Sequence, residues 1–432
     1  MAPEAGLPRT STPPVPPTPG NRSVAAGAAG PGRNGRRRHE VVVVGGGNAG
    51  ISLAARLRRY GVRDVAVVEP SGRHLFQPLF SHIGGGTAGP AEAVRTQEAV
   101  MPKGVTWIPD SAVDIKPETN TVELASGIRL SYGHVVVCPG LQLDWHKVPG
   151  LAEAMESPHG SSNYVYELAP KTWALLSGLK SGTAVFTMPS GPVKCGGASQ
   201  KPMYLACDYW RQQGVLSNIR VVMVVPTPTV YGVPGVDEEL NRKIAEYGIE
   251  LRCNSEVTAV DAAARTLQIH DSATGRSESL SYDVLHAVPP QSAPDWLKAT
   301  DLPASGDDGG FVEVDPETLR HTRYPNVWSL GDAAGTKNSK AGAALRKQTT
   351  VLAKNLKAVL RGEEPRTKYN GYSACPFTVS RSTVVFAEFD DEYRPMPSIP
   401  KIGVAKERHS TWILERDLFP GIYWNLILKG RA

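Results

Sequence analysis

The sequence predicts an α/β fold in which two Rossmann-like strand, turn, helix and strand units follow one another, and three observations predict it. The first is a run of four valines at residues 41–44 that leads into Gly45-Gly46-Gly47-Asn48-Ala49-Gly50 and then into the amphipathic segment 51–60. A short all-apolar run reads as a strand buried on both faces, and the periodic segment after the turn reads as a helix. The second is Glu69, nineteen residues beyond Gly50, at the end of a strand expected over 64–68. The third is a return of the same rhythm at residues 184–187, 202–213 and 219–225.

Gly45, Gly47 and Gly50 fall on the GxGxxG spacing. Gly45 permits the tight turn, Gly47 lets backbone N–H groups approach a pyrophosphate at the helix N-terminus, and Gly50 lets helix and strand pack closely. Glu69 supplies a carboxylate for the hydroxyls of an adenosine ribose. The second unit lacks this equipment. Its turn, residues 189–197, is not GxGxxG and carries Cys195 instead. Its second strand ends in Val225-Pro226-Thr227, with no acid for a ribose and no arginine for a 2′-phosphate. A nicotinamide site therefore reads as absent or dismantled.

At 432 residues the chain exceeds one core, so two or three domains are expected. The net charge of +5 is deceptive, because residues 1–39 hold six arginines against Glu4 alone, which is itself +5. Residues 40–432 are then neutral, and nothing points to nucleic acid. The same 39 residues hold eight prolines and six glycines with no apolar stretch, so a disordered tail is expected. Its prolines oppose the amphipathic helix of a mitochondrial presequence, which favours an extension of a bacterial chain. The cysteines, Cys138, Cys195, Cys207, Cys253 and Cys375, show no CxxC pair, so no metal site is expected. One redox pair with three bystanders is the economical reading, in a reducing compartment.

Further along, residues 105–108 and 110–116 read as short strands, 121–124 and 128–130 as a hairpin, and 132–137 as a buried strand ending at Cys138. A strand over 324–330 runs into Gly331-Asp332, followed by a helix over 341–360. In two-dinucleotide flavoproteins such an aspartate binds the ribityl chain of FAD. The expected organisation is a tail at 1–39, an FAD-binding domain split between 40–150 and 305–365, a second Rossmann-like domain at 151–304, and a C-terminal region at 366–432.

Val193-Lys194-Cys195-Gly196-Gly197 with Gln200-Lys201-Pro202-Met203-Tyr204-Leu205, followed 180 residues after the first cysteine by Tyr369-Asn370-Gly371-Tyr372-Ser373-Ala374-Cys375-Pro376, resembles the sulfide:quinone oxidoreductases, in particular the subtype shared with mitochondria. The likeness runs from about Glu40 to Arg431 and includes His74-Leu75-Phe76-Gln77-Pro78-Leu79-Phe80. It implies a glutathione-reductase-like flavoprotein with a redox-active bridge between Cys195 and Cys375 beside the flavin ring. Hydrosulfide would attack the bridge, leaving a persulfide on Cys375, while Cys195 delivers the electron pair to FAD. A membrane quinone would take the electrons, and a small thiol or sulfite the sulfur. The resemblance also implies flavin contacts at Asn48, Ala49, Gln77, Val113 through its backbone, Gly331, Asp332 and Lys340.

The residues make a physical case beside the family. A thiolate is the reactive species, and cations or a helix N-terminus lower its pKa. Cys195 precedes the expected helix, with Lys194 adjacent and Lys201 following; Lys194 reads equally well as a solvated residue. Cys138, Cys207 and Cys253 read as packing residues. No proton-transfer residue stands out; neither His82 nor Glu167 is chosen. Nothing reaches eighteen consecutive apolar residues. Yet Trp412, Ile413, Leu414, Leu418, Phe419 and residues 422–428 crowd apolar and aromatic groups ahead of Lys429 and Arg431, as suits a helix lying in a headgroup layer; a C-terminal helix packed on the core is the competing reading. A membrane-associating C-terminal region is therefore expected, attached peripherally to the cytoplasmic side of a bacterial inner membrane or to a mitochondrial inner membrane; a homo-oligomer is compatible with it. Two alternatives stand at this point: an NAD(P)H-dependent disulfide or quinone reductase, and a flavoprotein binding module with structural cysteines.

Overall fold

The computed structural model describes residues 38–398 and 405–432. The tail expected over 1–39 lies outside the described residues except for its last two. Arg38 and His39 belong to the first strand, where buried His39 meets Asp64 at 2.7 Å.

The strand Arg38–Val44 runs parallel to Val65–Val68 on one side and to Arg129–Val137 on the other. Thr106–Ile108 extends the sheet beyond Val65–Val68, and Val327–Ser329 returns to lie parallel to Val135, Val136 and Val137. Val41 and Val43 face one core with Leu53 and Leu57 of the helix Asn48–Arg59 and Leu352 and Leu356 of the helix Gly342–Val359. Val42 and Val44 face another with Leu124, Leu130 and Val312. The four-valine run is thus buried on both faces, as the sequence predicts.

Arg129–Val137 is one nine-residue strand rather than the two expected. Its first residues pair antiparallel with Thr121–Leu124, and its last pair in parallel with Val327–Ser329. The apolar alternation lapses because the strand changes neighbours, not because it ends.

A second sheet holds five parallel strands in the order Gly160–Ser161, Val284–His286, Gly182–Thr187, Ile219–Val224 and Glu250–Arg252. The antiparallel strands Ser255–Asp261, Thr266–Asp271 and Arg276–Ser281 form a third. The helix Lys201–Gln212 buries Met203, Tyr204 and Trp210 against Phe186 and Met223 of the second sheet. The hairpin Ser373–Thr378 with Val384–Phe389 shares that core through Phe377, Val385 and Phe389. Packing therefore brings Cys375 to the second sheet although 180 residues of chain separate it from Cys195.

The C-terminal segment is partly packed on the core, the competing reading of its sequence. It is a broken helix: His409–Trp412, a π turn over Ile413–Leu418, then Phe419–Asn425. Tyr423, Trp424 and Leu428 pack with Phe76, Leu79, Phe80 and Ile83, and the rings of Phe76 and Tyr423 stack at 4.1 Å. Core burial rather than a headgroup layer thus accounts for Tyr423 and Trp424, because composition alone does not separate the two destinations. Ile413, Leu418 and Leu426 are the exposed apolar side chains of this segment, at 42%, 51% and 40%. No helix among the described residues is long and apolar enough to cross a membrane.

Candidate active site

Gly45 has φ +107°, and a Cβ there would overlap the backbone of Cys138 and Pro139. A Cβ on Gly50 would overlap the Gly45 carbonyl oxygen, whereas Gly47 faces open space. The helix Asn48–Arg59 has no side-chain cap and no acid in its first turn, so its leading N–H groups are left for an anion. Asn48 Oδ1 is buried there without a hydrogen-bond partner. Glu69 accepts from Gly46 N at 2.7 Å and from Ser71 N at 2.8 Å, and each carboxylate oxygen keeps a lone pair for a ribose hydroxyl. A bulge in the Ala112–Lys116 strand leaves Val113 with no residue opposite it, so its backbone points away from the ladder.

The carbonyl of Gly46 is fixed from behind by two side chains that sequence reasoning missed. Gln97 Nε2 donates to it at 2.9 Å and His74 Nδ1 lies 3.2 Å away. Burial lowers the His74 pKa to about 4, so its ring is neutral. Nδ1–H donates to Gly46, and Nε2 accepts from the Tyr423 hydroxyl at 2.6 Å.

Gly331 closes the site from the other half of the chain. A Cβ on it would lie 3.5 Å from the Cβ of Ala49, and its N–H donates to Gln348 at 2.8 Å. Burial raises the Asp332 pKa, with Lys340 and Lys194 opposing. Burial lowers Lys340 to about 8, against the pull of Asp332; its ammonium donates to the Ala334 carbonyl at 2.9 Å. Lys194 is half-buried rather than solvated and donates to Gln77 Oε1 at 2.8 Å. The open cradle at Gly47, the uncapped helix, the orphaned Asn48 oxygen and the half-buried Asp332 together fit FAD.

Cys195 N–H donates to the Lys340 carbonyl at 2.8 Å, which joins the cysteine loop to this site. Cys195 sits in left-handed backbone, φ +48°, a conformation that disfavours a side chain and is held here by neighbours. Its carbonyl accepts from Ala198 N at 2.7 Å and from the Tyr164 hydroxyl at 3.0 Å. Cys195 and Cys375 are free thiols with sulfurs 3.9 Å apart. A Cβ on Gly197 would overlap the Cys375 sulfur, so only glycine lets the two loops meet.

Lys201 donates to Glu415 Oε1 at 2.9 Å, and Thr378 Oγ1 donates to Glu415 Oε2 at 2.7 Å. Burial disfavours the Lys201 ammonium, but Glu415 and the two cysteines outweigh it and raise its pKa. The hydrogen bond from Cys375, against burial and with help from Lys201, lowers the Cys195 pKa to about 7. The same bond and burial push Cys375 up, so Cys195 ionises first. Burial likewise pushes Cys138, Cys207 and Cys253 up, away from the thiolate form. Glu167 lies at the surface with Arg73, at 2.8 Å. Among the described residues no cluster of metal-ligating side chains occurs.

In the reduced protein, alkylation of Cys195 by iodoacetamide is expected to accelerate as pH rises through about 7. Lys201→Met removes a cation that favours the thiolate and should move that rise to higher pH. Mass spectrometry of the labelled peptide checks both; an unmoved rise would mean that Lys201 does not act on Cys195.

A model of the pyridine nucleotide-disulphide oxidoreductase family matches residues 39–347. The chain is 36% identical to the mitochondrial sulfide:quinone oxidoreductase of Mus musculus, over 91% of this chain and 87% of the mouse protein. It is 34% identical to the mitochondrial sulfide:quinone oxidoreductase of Dictyostelium discoideum, over 91% of this chain and 86% of that one. In shape it is similar to the X-ray structure of the sulfide:quinone oxidoreductase from Aquifex aeolicus, with a TM-score of 0.77, 18% identity and 91% of each chain covered. The shared shape is that of the expected two-unit flavoprotein.

Proposed function

The chain belongs to the sulfide:quinone oxidoreductases, within the pyridine nucleotide-disulphide oxidoreductase family, and from that premise we propose how its residues oxidise sulfide. The observation that carries the reading is two sulfurs 3.9 Å apart beside the buried Lys201–Glu415 ion pair. Cys195 and Cys375 cycle between dithiol and disulfide. Hydrosulfide attacks the sulfur of Cys375, a persulfide forms there, and Cys195 leaves as the thiolate that the Cys375 hydrogen bond and Lys201 favour.

FAD, when bound, would supply the two-electron acceptor that links this centre to a quinone. Gly45, Gly47, Asn48, Ala49 and Gly50 would hold its pyrophosphate, Glu69 its ribose, Val113 its adenine, and Gln77, Gly331, Asp332 and Lys340 its flavin half. Residues 40–150 and 305–365 form its domain, 151–304 carry Cys195, and 366–432 present Cys375. A small thiol or sulfite removes the sulfane sulfur. Exposed Ile413, Leu418 and Leu426 support a peripheral seat on the quinone-bearing membrane, bacterial inner or mitochondrial inner.

Anaerobic sulfide is expected to bleach the visible flavin band rapidly near neutral pH, and NADH is expected not to. The comparison is one stopped-flow experiment on the purified holoenzyme; fast bleaching by NADH would make the protein a pyridine-nucleotide reductase.

A further inference from the structure

The two cysteines stand on separate elements, and one buried carboxylate is bonded to both elements. Cys195 lies six residues before Lys201, the first residue of the helix Lys201–Gln212, with the single turn Gly196–Ser199 between them. Cys375 lies three residues before Thr378 on the strand Ser373–Thr378. Glu415 Oε1 accepts from Lys201 Nζ at 2.9 Å, and Oε2 accepts from Thr378 Oγ1 at 2.7 Å. Burial disfavours the Glu415 carboxylate, but Lys201 and His82 outweigh it and lower its pKa to about 2, so both oxygens act as acceptors. Lys201, Thr378 and Glu415 are all buried. Glu415 reaches the other two from a third segment, the π turn Ile413–Leu418, whose end residues Ile413 and Leu418 are exposed. Such turns are rare in helices and recur at functional sites. His82 Nε2, 3.6 Å from Oε1, is too far for a hydrogen bond and belongs to neither cysteine element.

We propose that Glu415 is a positioning residue that clamps the element carrying Cys195 to the element carrying Cys375 while the bond between the sulfurs is open. This role rests on the redox-pair reading above and adds a residue to it. In the bridged state the covalent bond itself holds the two elements together. Once hydrosulfide opens it that restraint is gone, and in the open pair the sulfurs stand 3.9 Å apart. Both bonds of Glu415 are in place in that open pair. They keep each sulfur at a high effective concentration for the other, so the bridge re-forms without a search. The clamp therefore acts on one side of the equilibrium. Cutting it frees the dithiol and leaves the bridged state as it was, which makes the bridge easier to reduce.

The test is a titration of the anaerobic holoenzyme in glutathione buffers, in which the bridge and two glutathiones exchange with the dithiol and one glutathione disulfide. Acid quenching, alkylation and mass spectrometry of the Cys195 and Cys375 peptides read the fraction bridged. Thr378→Val keeps the shape of the side chain, removes its donor and leaves the Lys201–Glu415 pair intact. It should lower the ratio of squared glutathione to glutathione disulfide at half reduction about tenfold, part of the worth of one charge-assisted hydrogen bond. For this two-electron couple that is about 30 mV. Thr378→Ser restores the donor and should titrate with the wild type. Glu415→Ala cuts both arms and should lower the ratio further, and in that background Thr378→Val should add nothing. A merely structural role would lower the melting temperature of the bridged and open forms alike and leave the ratio unmoved. If Glu415→Ala does not fold, Thr378→Val against Thr378→Ser decides the matter. Thr378→Val titrating with the wild type overturns the proposal. A wild type that forms no bridge at any ratio overturns the redox-pair reading beneath it.

Discussion

Replacement of Cys195 or of Cys375 by serine is expected to abolish sulfide-dependent bleaching while FAD stays bound. A hydroxyl cannot form the exchanging bond, so the loss should reach at least ~10³-fold, the scale on which a covalent catalytic group is missed. Neither sulfur belongs to the dinucleotide turn, so the ratio of flavin to protein should hold. The Cys375 position is fully buried, and a hydroxyl there costs about 1–3 kcal/mol if unpartnered. A lowered melting temperature with full flavin content is therefore the expected control result. The cysteines also differ in kind: Cys375→Ala removes the donor that lowers Cys195, so alkylation of Cys195 should shift to higher pH. Full activity in both serine variants would make the cysteines structural and leave a flavoprotein binding module.

The second large effect concerns the glycine turn. Gly50→Ala would drive a methyl group into the Gly45 carbonyl oxygen, and Gly45 is itself closely packed on the backbone of Cys138 and Pro139. Overpacking of this kind costs about 1–3 kcal/mol of stability, and the displaced turn should also weaken FAD binding. Gly47→Ala separates fold from binding, since its methyl meets no protein atom within 4 Å. That variant should fold with an unchanged melting temperature and still lose FAD, because the methyl occupies the approach to the pyrophosphate. Flavin absorbance after purification and a fluorescence titration check both. Full affinity in Gly47→Ala would mean that the turn does not cradle the phosphates.

The parts of the fold legible in the sequence are those whose signals are local. Val41, Val42, Val43 and Val44 announce a doubly buried strand, and the spacing of Gly45, Gly47 and Gly50 answers to clashes with atoms a few residues away. Where a strand changes partners, as Arg129–Val137 does, the period changes within one element and the sequence suggests two. The same limit governs the site. Cys195, Cys375 and Lys201 stand in recognisable motifs, but Glu415 meets Lys201 across 214 residues and owes its role to burial alone. The approach of His82 to Glu415 at 3.6 Å leaves no local signal either, because a histidine in a short helix looks the same whether or not a carboxylate lies opposite. Tyr423 and Trp424 read as membrane anchors since aromatic residues near a terminus look alike in lipid and in a core.

The string of contacts from Tyr423 through His74 to Gly46 makes the far end of the chain a latch on the phosphate turn. Detaching residues 419–428 strips His74 of its donor and frees the carbonyl that it steadies. Fraying of the tail and slackening of the turn are then one equilibrium. By thermodynamic reciprocity, a nucleotide that tightens the turn must fasten the tail by the same factor.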